Sequence, residues 1–88
     1  MNDAYRKQLL DPRWQHKRAE IMERDRNACV HCRAEHRLEV HHKQYHFVRT
    51  LASFKAPWEY EAHLLVTLCE RCHRRGHELF KVPVKYVG

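Results

Sequence analysis

The sequence predicts a small α+β domain in which an N-terminal helix leads into a β-β-α unit held by a cysteine clasp. Three observations predict it. The 88 residues suffice for one domain, 1–88, whose limited core is marginal without a staple. The four cysteines stand as two pairs, Cys29-x-x-Cys32 and Cys69-x-x-Cys72, with 36 residues between them. Around the pairs, the apolar pattern changes from helical spacing to strand alternation and back.

Asp11-Pro12 reads as a helix start, an N-cap followed by proline at the first helical position. Trp14, Ala19, Ile21 and Met22 then form an apolar stripe, with Trp14 as core, and Lys17, Arg18, Arg24 and Arg26 occupy the other faces. This helix is expected to end near Asn27, and Tyr5, Leu9 and Leu10 suggest a shorter helical turn before it. Cys29-Val30-His31-Cys32 makes a tight knuckle. Leu38-Glu39-Val40-His41 alternates and reads as a short strand. Residues 43–63 lack periodicity, and Pro57 with Phe54, Trp58 and Tyr60 predicts a packed loop. Leu64-Leu65-Val66-Thr67-Leu68 reads as the second strand. After the second knuckle comes a short helix through His73 and His77, which Val82-Pro83-Val84 stops because proline cannot continue a helix. The β-β-α unit thus covers about residues 29–80.

Two CxxC pairs can make a tetrahedral four-cysteine zinc site. Two disulfides or a redox CxxC are the alternatives. The segment after Met1, Asn2-Asp3-Ala4-Tyr5-Arg6-Lys7, is polar and basic and not an apolar leader, so an oxidising compartment is not expected. A redox motif needs only one pair. Structural Zn2+ on Cys29, Cys32, Cys69 and Cys72 is therefore the expectation. No run approaches the roughly 18 apolar residues of a membrane span, and no membrane partner is expected.

Seventeen Lys+Arg stand against eleven Asp+Glu, and the pI is about 9.4. That balance suits phosphate backbones. Arg71, Arg74 and Arg75 on or beside the last helix, and Lys17, Arg18 and Arg24 on the first, are the candidate phosphate contacts. Such contacts are electrostatic and weakly sequence-specific.

Among nine histidines, the spacing matters more than the number. His41 and His42 close the first strand, where neighbouring side chains diverge. One can ligate a metal while the other stands nearby as a base. His73 and His77 share a helix face, at a spacing by which helical histidines grip one ion. Gly76 lies between them. Inside the helix it costs about 1 kcal/mol; as a cap, it would take His77 off the face of His73.

The segment Leu38-Glu-Val-His-His42, followed by Leu64-Leu-Val-Thr-Leu-Cys-Glu-Arg-Cys-His-Arg-Arg-Gly-His77, resembles the HNH endonuclease family. Tyr5…Leu9-Leu-Asp-Pro-Arg-Trp14 and the first cysteine pair also resemble small phage and bacterial HNH proteins, so the resemblance runs from about Tyr5 to Leu79. It implies a ββα-metal (His-Me finger) core and a metal-dependent DNA endonuclease, cytoplasmic in a bacterial host or encoded by a phage. It places His41 at the first metal-ligand position, His42 at the general base, His73 at the closing histidine and His77 at a further ligand. The products would carry 5′-phosphate and 3′-hydroxyl ends. Family members often carry Asn or Asp five residues before the third cysteine, to tether the loop holding the base; here that residue is Leu64, and Glu61 or His63 would have to replace it. An all-imidazole shell suits Mn2+, Ni2+, Co2+ or Zn2+ better than Mg2+. Leu64 favours a rival reading, a non-catalytic zinc module that binds DNA, or an accessory subunit of a DNA-packaging, restriction or other DNA-processing complex. His41, His42 and His73 favour the enzyme, because a zinc clasp needs none of them.

Overall fold

The computed structural model describes residues 3–88, with side chains from Tyr5 onward; Met1 and Asn2, counted in the single domain read from the sequence, lie outside the described residues. The chain is a small α+β domain. Helix α1 spans Asp3–Leu9 and helix α2 spans Pro12–Arg24. Asp11 caps α2 by accepting the Arg13 N–H at 2.8 Å, and Pro12 occupies the first turn, where no partner for its missing N–H is needed. The stripe read from the sequence is the buried face: Trp14 and Ile21 enter the core. α2 stops at Arg24, short of Asn27. Arg26 and Asn27 take left-handed backbone angles, φ 61° and 52°, which end the helical ladder.

Strand β1, Leu38–His42, pairs antiparallel with a strand at Leu65–Cys69 (β4, in the order of the chain). Glu39 faces Leu68, Val40 faces Thr67, His41 faces Val66 and His42 faces Leu65. Because side chains alternate across a strand, Val40, His42, Leu65 and Thr67 point one way and Glu39, His41, Val66 and Leu68 the other. The first set is buried against α2, where Trp14, Ile21, Val40, Tyr60 and Leu65 form the core. Helix α3, Glu70–Leu79, starts directly at the end of β4 and lies against the second set. No described helix is long and apolar enough to cross a membrane.

Between the paired strands the chain is not the loop the sequence suggested. Tyr45–Val48 forms β2 and Ser53–Phe54 forms β3, an antiparallel hairpin turned at Ala52 with φ 51°. Short 3-10 turns then cover Pro57–Glu59 and Ala62–Leu64. After Pro83 the chain resumes as β5, Val84–Val87, parallel to β2, giving a second sheet in the order β3-β2-β5. β2 is only four residues long and finds its second partner at the far end of the chain, so no local period announces it.

One ion pair ties α2 to β4. Asp25, the C-cap, accepts the Thr67 N–H at 2.9 Å and both Nε and Nη2 of Arg24, at 2.8 and 2.9 Å. Arg24 also donates to the carbonyls of Ala62 and Leu65, each at 2.7 Å. The Arg24 guanidinium holds the Asp25 carboxyl below its ordinary value of 3.8 against the opposing effect of burial, and the Thr67 N–H adds to it. That stabilisation is complete above 3.8 and is lost only as pH falls through the depressed folded value. Arg24, grouped from the sequence with the phosphate-contacting cations, is thus occupied by the fold. Arg24→Gln is expected to cost about 1.5–3 kcal/mol of stability, as for other hydrogen bonds to charged groups. Urea unfolding at neutral pH checks this, and a midpoint equal to that of the parent would show that the clamp contributes nothing.

Candidate metal centres

Cys29, Cys32, Cys69 and Cys72 bring their sulfurs within 4.8 Å of one another. The first pair lies in a turn closed by the Arg33 N–H on the Cys29 carbonyl and by the Cys29 N–H on that of Ala34, at 2.9 and 2.8 Å. The Val30 N–H on the Thr67 carbonyl holds that turn against β4. The second pair straddles the start of α3, where Cys69 is both the last residue of β4 and the helix N-cap, its sulfur accepting the Cys72 N–H at 3.4 Å. The Cys32 N–H points at Cys29 Sγ in the same way, at 3.5 Å. Burial pushes the Cys29 thiol up, but the converging N–H groups of Cys32, Cys69 and His31 overcome it and bring the thiol down to about 6. Burial, followed by the neighbouring sulfurs, pushes Cys72 up to about 12. Four thiols this close cannot all ionise unaided. A cation bound equally by all four resolves the conflict, and Cys32 Sγ and Cys69 Sγ, 3.6 Å apart, are spaced as two corners of a tetrahedron with bonds of about 2.3 Å. The donor set fits structural Zn2+.

The second cluster is on the opposite side of β1. One nitrogen each from His41, His73 and His77 lies within 4.8 Å of the others. α3 runs through Gly76 without capping there, so His77 stays on the face of His73, their Nε2 atoms 3.0 Å apart. The rings of His73 and His77 lie 4.9 and 5.3 Å from that of His41. Burial, with the neighbouring His73 and His77, lowers His41 to about 4. It is therefore neutral at physiological pH and keeps a lone pair, and its Nδ1 is buried without a hydrogen-bond partner among the described residues. An ion at the cluster would satisfy such a nitrogen. The three imidazoles can hold a metal.

Glu39 was not among the residues singled out in the sequence. Its carboxylate accepts the His73 Nδ1–H at 2.6 Å. This fixes the tautomer and directs the Nε2 lone pair at the cluster, as carboxylates behind metal-bound histidines do. The signal was present in the strand period: Glu39 is two residues before His41 and shares its face.

His42 points the other way, into the core, and is 4% exposed. Its ring is stacked between Trp14 and Tyr45, with centroids 5.2 and 5.4 Å away. Its Nε2–H is directed at the Pro57 carbonyl at 3.2 Å, and Nδ1 makes no hydrogen bond among the described residues. Burial lowers its pKa despite that bond, which leaves the ring neutral. Neither Glu61 nor His63 serves as a tether: they pair with each other at 3.3 Å on the surface. The Pro57 carbonyl accepts from the His42 ring instead, and the Leu64 carbonyl holds the Lys43 N–H at 2.8 Å. Of the proposed phosphate contacts, Arg71, Arg74 and Arg75 are exposed on α3, and Lys17 is half-buried on α2. Arg18 donates to the Leu38 carbonyl at 3.0 Å.

Comparison of the chain with protein-family models, curated proteins and solved structures finds no match.

Three outcomes follow from this geometry. Glu39→Gln is expected to weaken Ni2+ or Mn2+ binding at the histidine cluster by about 10–100-fold, while zinc stays on the cysteines; calorimetric titration and metal analysis measure the two separately. Stripping the zinc itself is expected to abolish the cooperative melt, since structural zinc contributes folding energy directly. In Gly76→Ala, the added Cβ meets nothing within 4 Å, so the helix should gain about 0.5–1 kcal/mol without loss of metal. A fall in melting temperature would mean that this glycine is needed where it stands.

Proposed function

We propose that this chain is a metal-dependent endonuclease that hydrolyses DNA phosphodiester bonds with little sequence preference. The observation that carries it is the three-imidazole cluster of His41, His73 and His77 beside a neutral, tautomer-fixed His42 on the same strand end. The resemblance of these residues to the HNH family and its ββα-metal core supports the same reading, as does the net charge of +6.

A divalent ion held by the three histidines would polarise the scissile phosphate and stabilise the charge that grows on the leaving 3′-oxygen. The chain supplies the rest. With Nε2–H given to Pro57, the lone pair of His42 is on Nδ1; because the ring faces the core, stacked between Trp14 and Tyr45, that nitrogen takes the proton from the attacking water only once substrate binding opens this side of the strand end. As the water oxygen bonds to phosphorus, the bond to the 3′-oxygen breaks, leaving a 5′-phosphate and a 3′-oxyanion that takes a proton from solvent to become the 3′-hydroxyl. Glu39 keeps His73 aimed at the cluster. Arg71, Arg74 and Arg75, exposed on the same helix, anchor flanking phosphates.

One observation favours a second reading, a metal-dependent DNA-binding module or accessory subunit without catalysis. His42 is 4% exposed and clamped by two aromatic rings, and Leu64 occupies the usual Asn or Asp position.

Cleavage of supercoiled plasmid separates the two. Zinc-loaded protein freed of labile metal is expected to cut with Mn2+, Co2+ or Ni2+ more than with Mg2+, because all three ligands are imidazoles. His42→Asn preserves most of the ring's bulk and should lose on the order of a hundredfold in rate while keeping its DNA affinity. Since His42 is depressed below 6.5 and must be neutral to act, the acid limb of the rate profile should lie below that pH. Metal-enhanced DNA retention with no cleavage under any of these ions would replace the enzyme with the binding module.

A further inference from the structure

The second sheet carries a feature that the histidine cluster does not use. Phe47 pairs with Phe54 on one side and with Tyr86 on the other, so the three rings form one row across β3, β2 and β5 on a common face. Their centroids are 5.2 and 5.8 Å apart. Phe54 is 48% exposed and Tyr86 59%. Tyr45 continues the row toward the core, 6.3 Å from Phe54 and 5.4 Å from His42. The same Tyr45 lines an open groove of about 460 Å³ with His77, Glu78, Phe80 and Lys81. A line of aromatic surface thus runs from the histidine cluster out across the sheet.

The charge is distributed to match. Residues 40–58 and 79–88, which build this sheet, contain Lys43, Arg49, Lys55, Lys81 and Lys85 and no Asp or Glu, though Glu78 borders the groove and Glu61 acts on His46 from outside these segments. Five of the six net positive charges therefore belong to these segments, and the other 12 cations nearly balance the 11 carboxylates. The Arg49 guanidinium lies 5.9 Å from the Tyr86 ring, and Lys81 borders the groove. Lys85 pairs with His46, and Lys55 lies beside the same histidine and over the Tyr60 ring, so both stand on the opposite face, within reach of a Debye length of about 8–10 Å.

We propose that this aromatic face binds single-stranded DNA, its rings stacking on unpaired bases while the surrounding cations hold the backbone, so that a strand crossing the sheet is led past Tyr45 to His77. Stacking on exposed rings combined with a basic surface is how proteins hold single strands without reading sequence. In a duplex the base faces are already stacked on each other, and only the phosphates remain for the cations. A second copy of this chain is disfavoured as the occupant by the concentrated like charge, and a membrane by the alignment of the rings with the groove at His77. The proposal rests on the nuclease reading for its consequence, preference for unpaired strands near the cut, but its binding test needs no cleavage.

The test is fluorescence anisotropy of a labelled 15-nucleotide oligothymidine and of a 15-base-pair duplex, with zinc-loaded protein, no added divalent ion and fixed salt. The parent is expected to bind the single strand more tightly than the duplex. Tyr86→Ser and Phe54→Ser should each weaken the single strand by about fivefold or more, a loss several times larger than any on the duplex; Tyr86→Phe and Phe54→Trp should restore parental binding. Equal loss on both probes, no loss, or failure of the conservative variants to restore binding in proteins with parental melting temperatures would overturn the proposal. Sedimentation that finds a dimer dissociated by Tyr86→Ser would also overturn it, assigning the face to self-association, as would Tyr86-dependent binding to anionic vesicles with unchanged oligothymidine affinity. If oligothymidine binding behaves as expected but plasmid is never cut, the face stands and the nuclease reading falls.

Discussion

The four sulfurs determine where everything after them lies. Cys69 ends β4, caps α3 and faces Cys32 across 3.6 Å, so the first knuckle, the strand and the helix meet at one residue. A helix begun by a side chain fixed in space has its phase set from the first turn. His73 follows Cys72 immediately, and His77 is one turn further along the same face. The clasp thereby aims both imidazoles at β1, where His41 waits. Beyond the sulfurs, α3 is held by the Glu39–His73 hydrogen bond and the Glu70 N–H on the Arg37 carbonyl, since the core of five buried side chains does not include it.

The second constraint is the two-residue period of β1. It gives two adjacent histidines opposite surroundings. His41 looks toward α3 and other nitrogens, and His42 toward Trp14, Tyr45 and the Pro57 carbonyl. Both are held neutral, His41 by burial and the neighbouring imidazoles, His42 chiefly by burial. A neutral ring suits a ligand and a base alike, so a single strand end can present both without either being protonated at physiological pH.

Where a signal is local, the sequence carried it. The Asp11-Pro12 start, both knuckles, the divergence of His41 from His42 and the i, i+4 pair on α3 all depend on near neighbours in the chain. Gly76 could be read two ways, since propensity alone does not say whether a glycine caps a helix or lies within it; the packing of α3 on β1 and β4 keeps the helix intact. What was missed is tertiary. β2 reads as loop until β5 arrives from the other end of the chain. Arg24 falls on a polar face of α2, as a solvated cation would, and only the fold shows it reaching Ala62 and Leu65. Glu39 was visible by strand period, but its partner His73 lies on a helix that begins 31 residues later, at Glu70.

The placement of β5 divides the molecule into parts of unequal persistence. Among the described residues it is an edge strand, largely exposed, paired with β2 alone and joined to α3 by the short stretch Phe80–Pro83. Its ladder is remote in sequence and gains little from the core around Trp14 and Ile21. Such a strand belongs at the low end of the local opening free energies that amide hydrogen exchange resolves. Amide exchange is expected to find two cooperative blocks in a chain of 88 residues, the terminal strand opening first and the core that carries the cysteine and histidine clusters only with global unfolding.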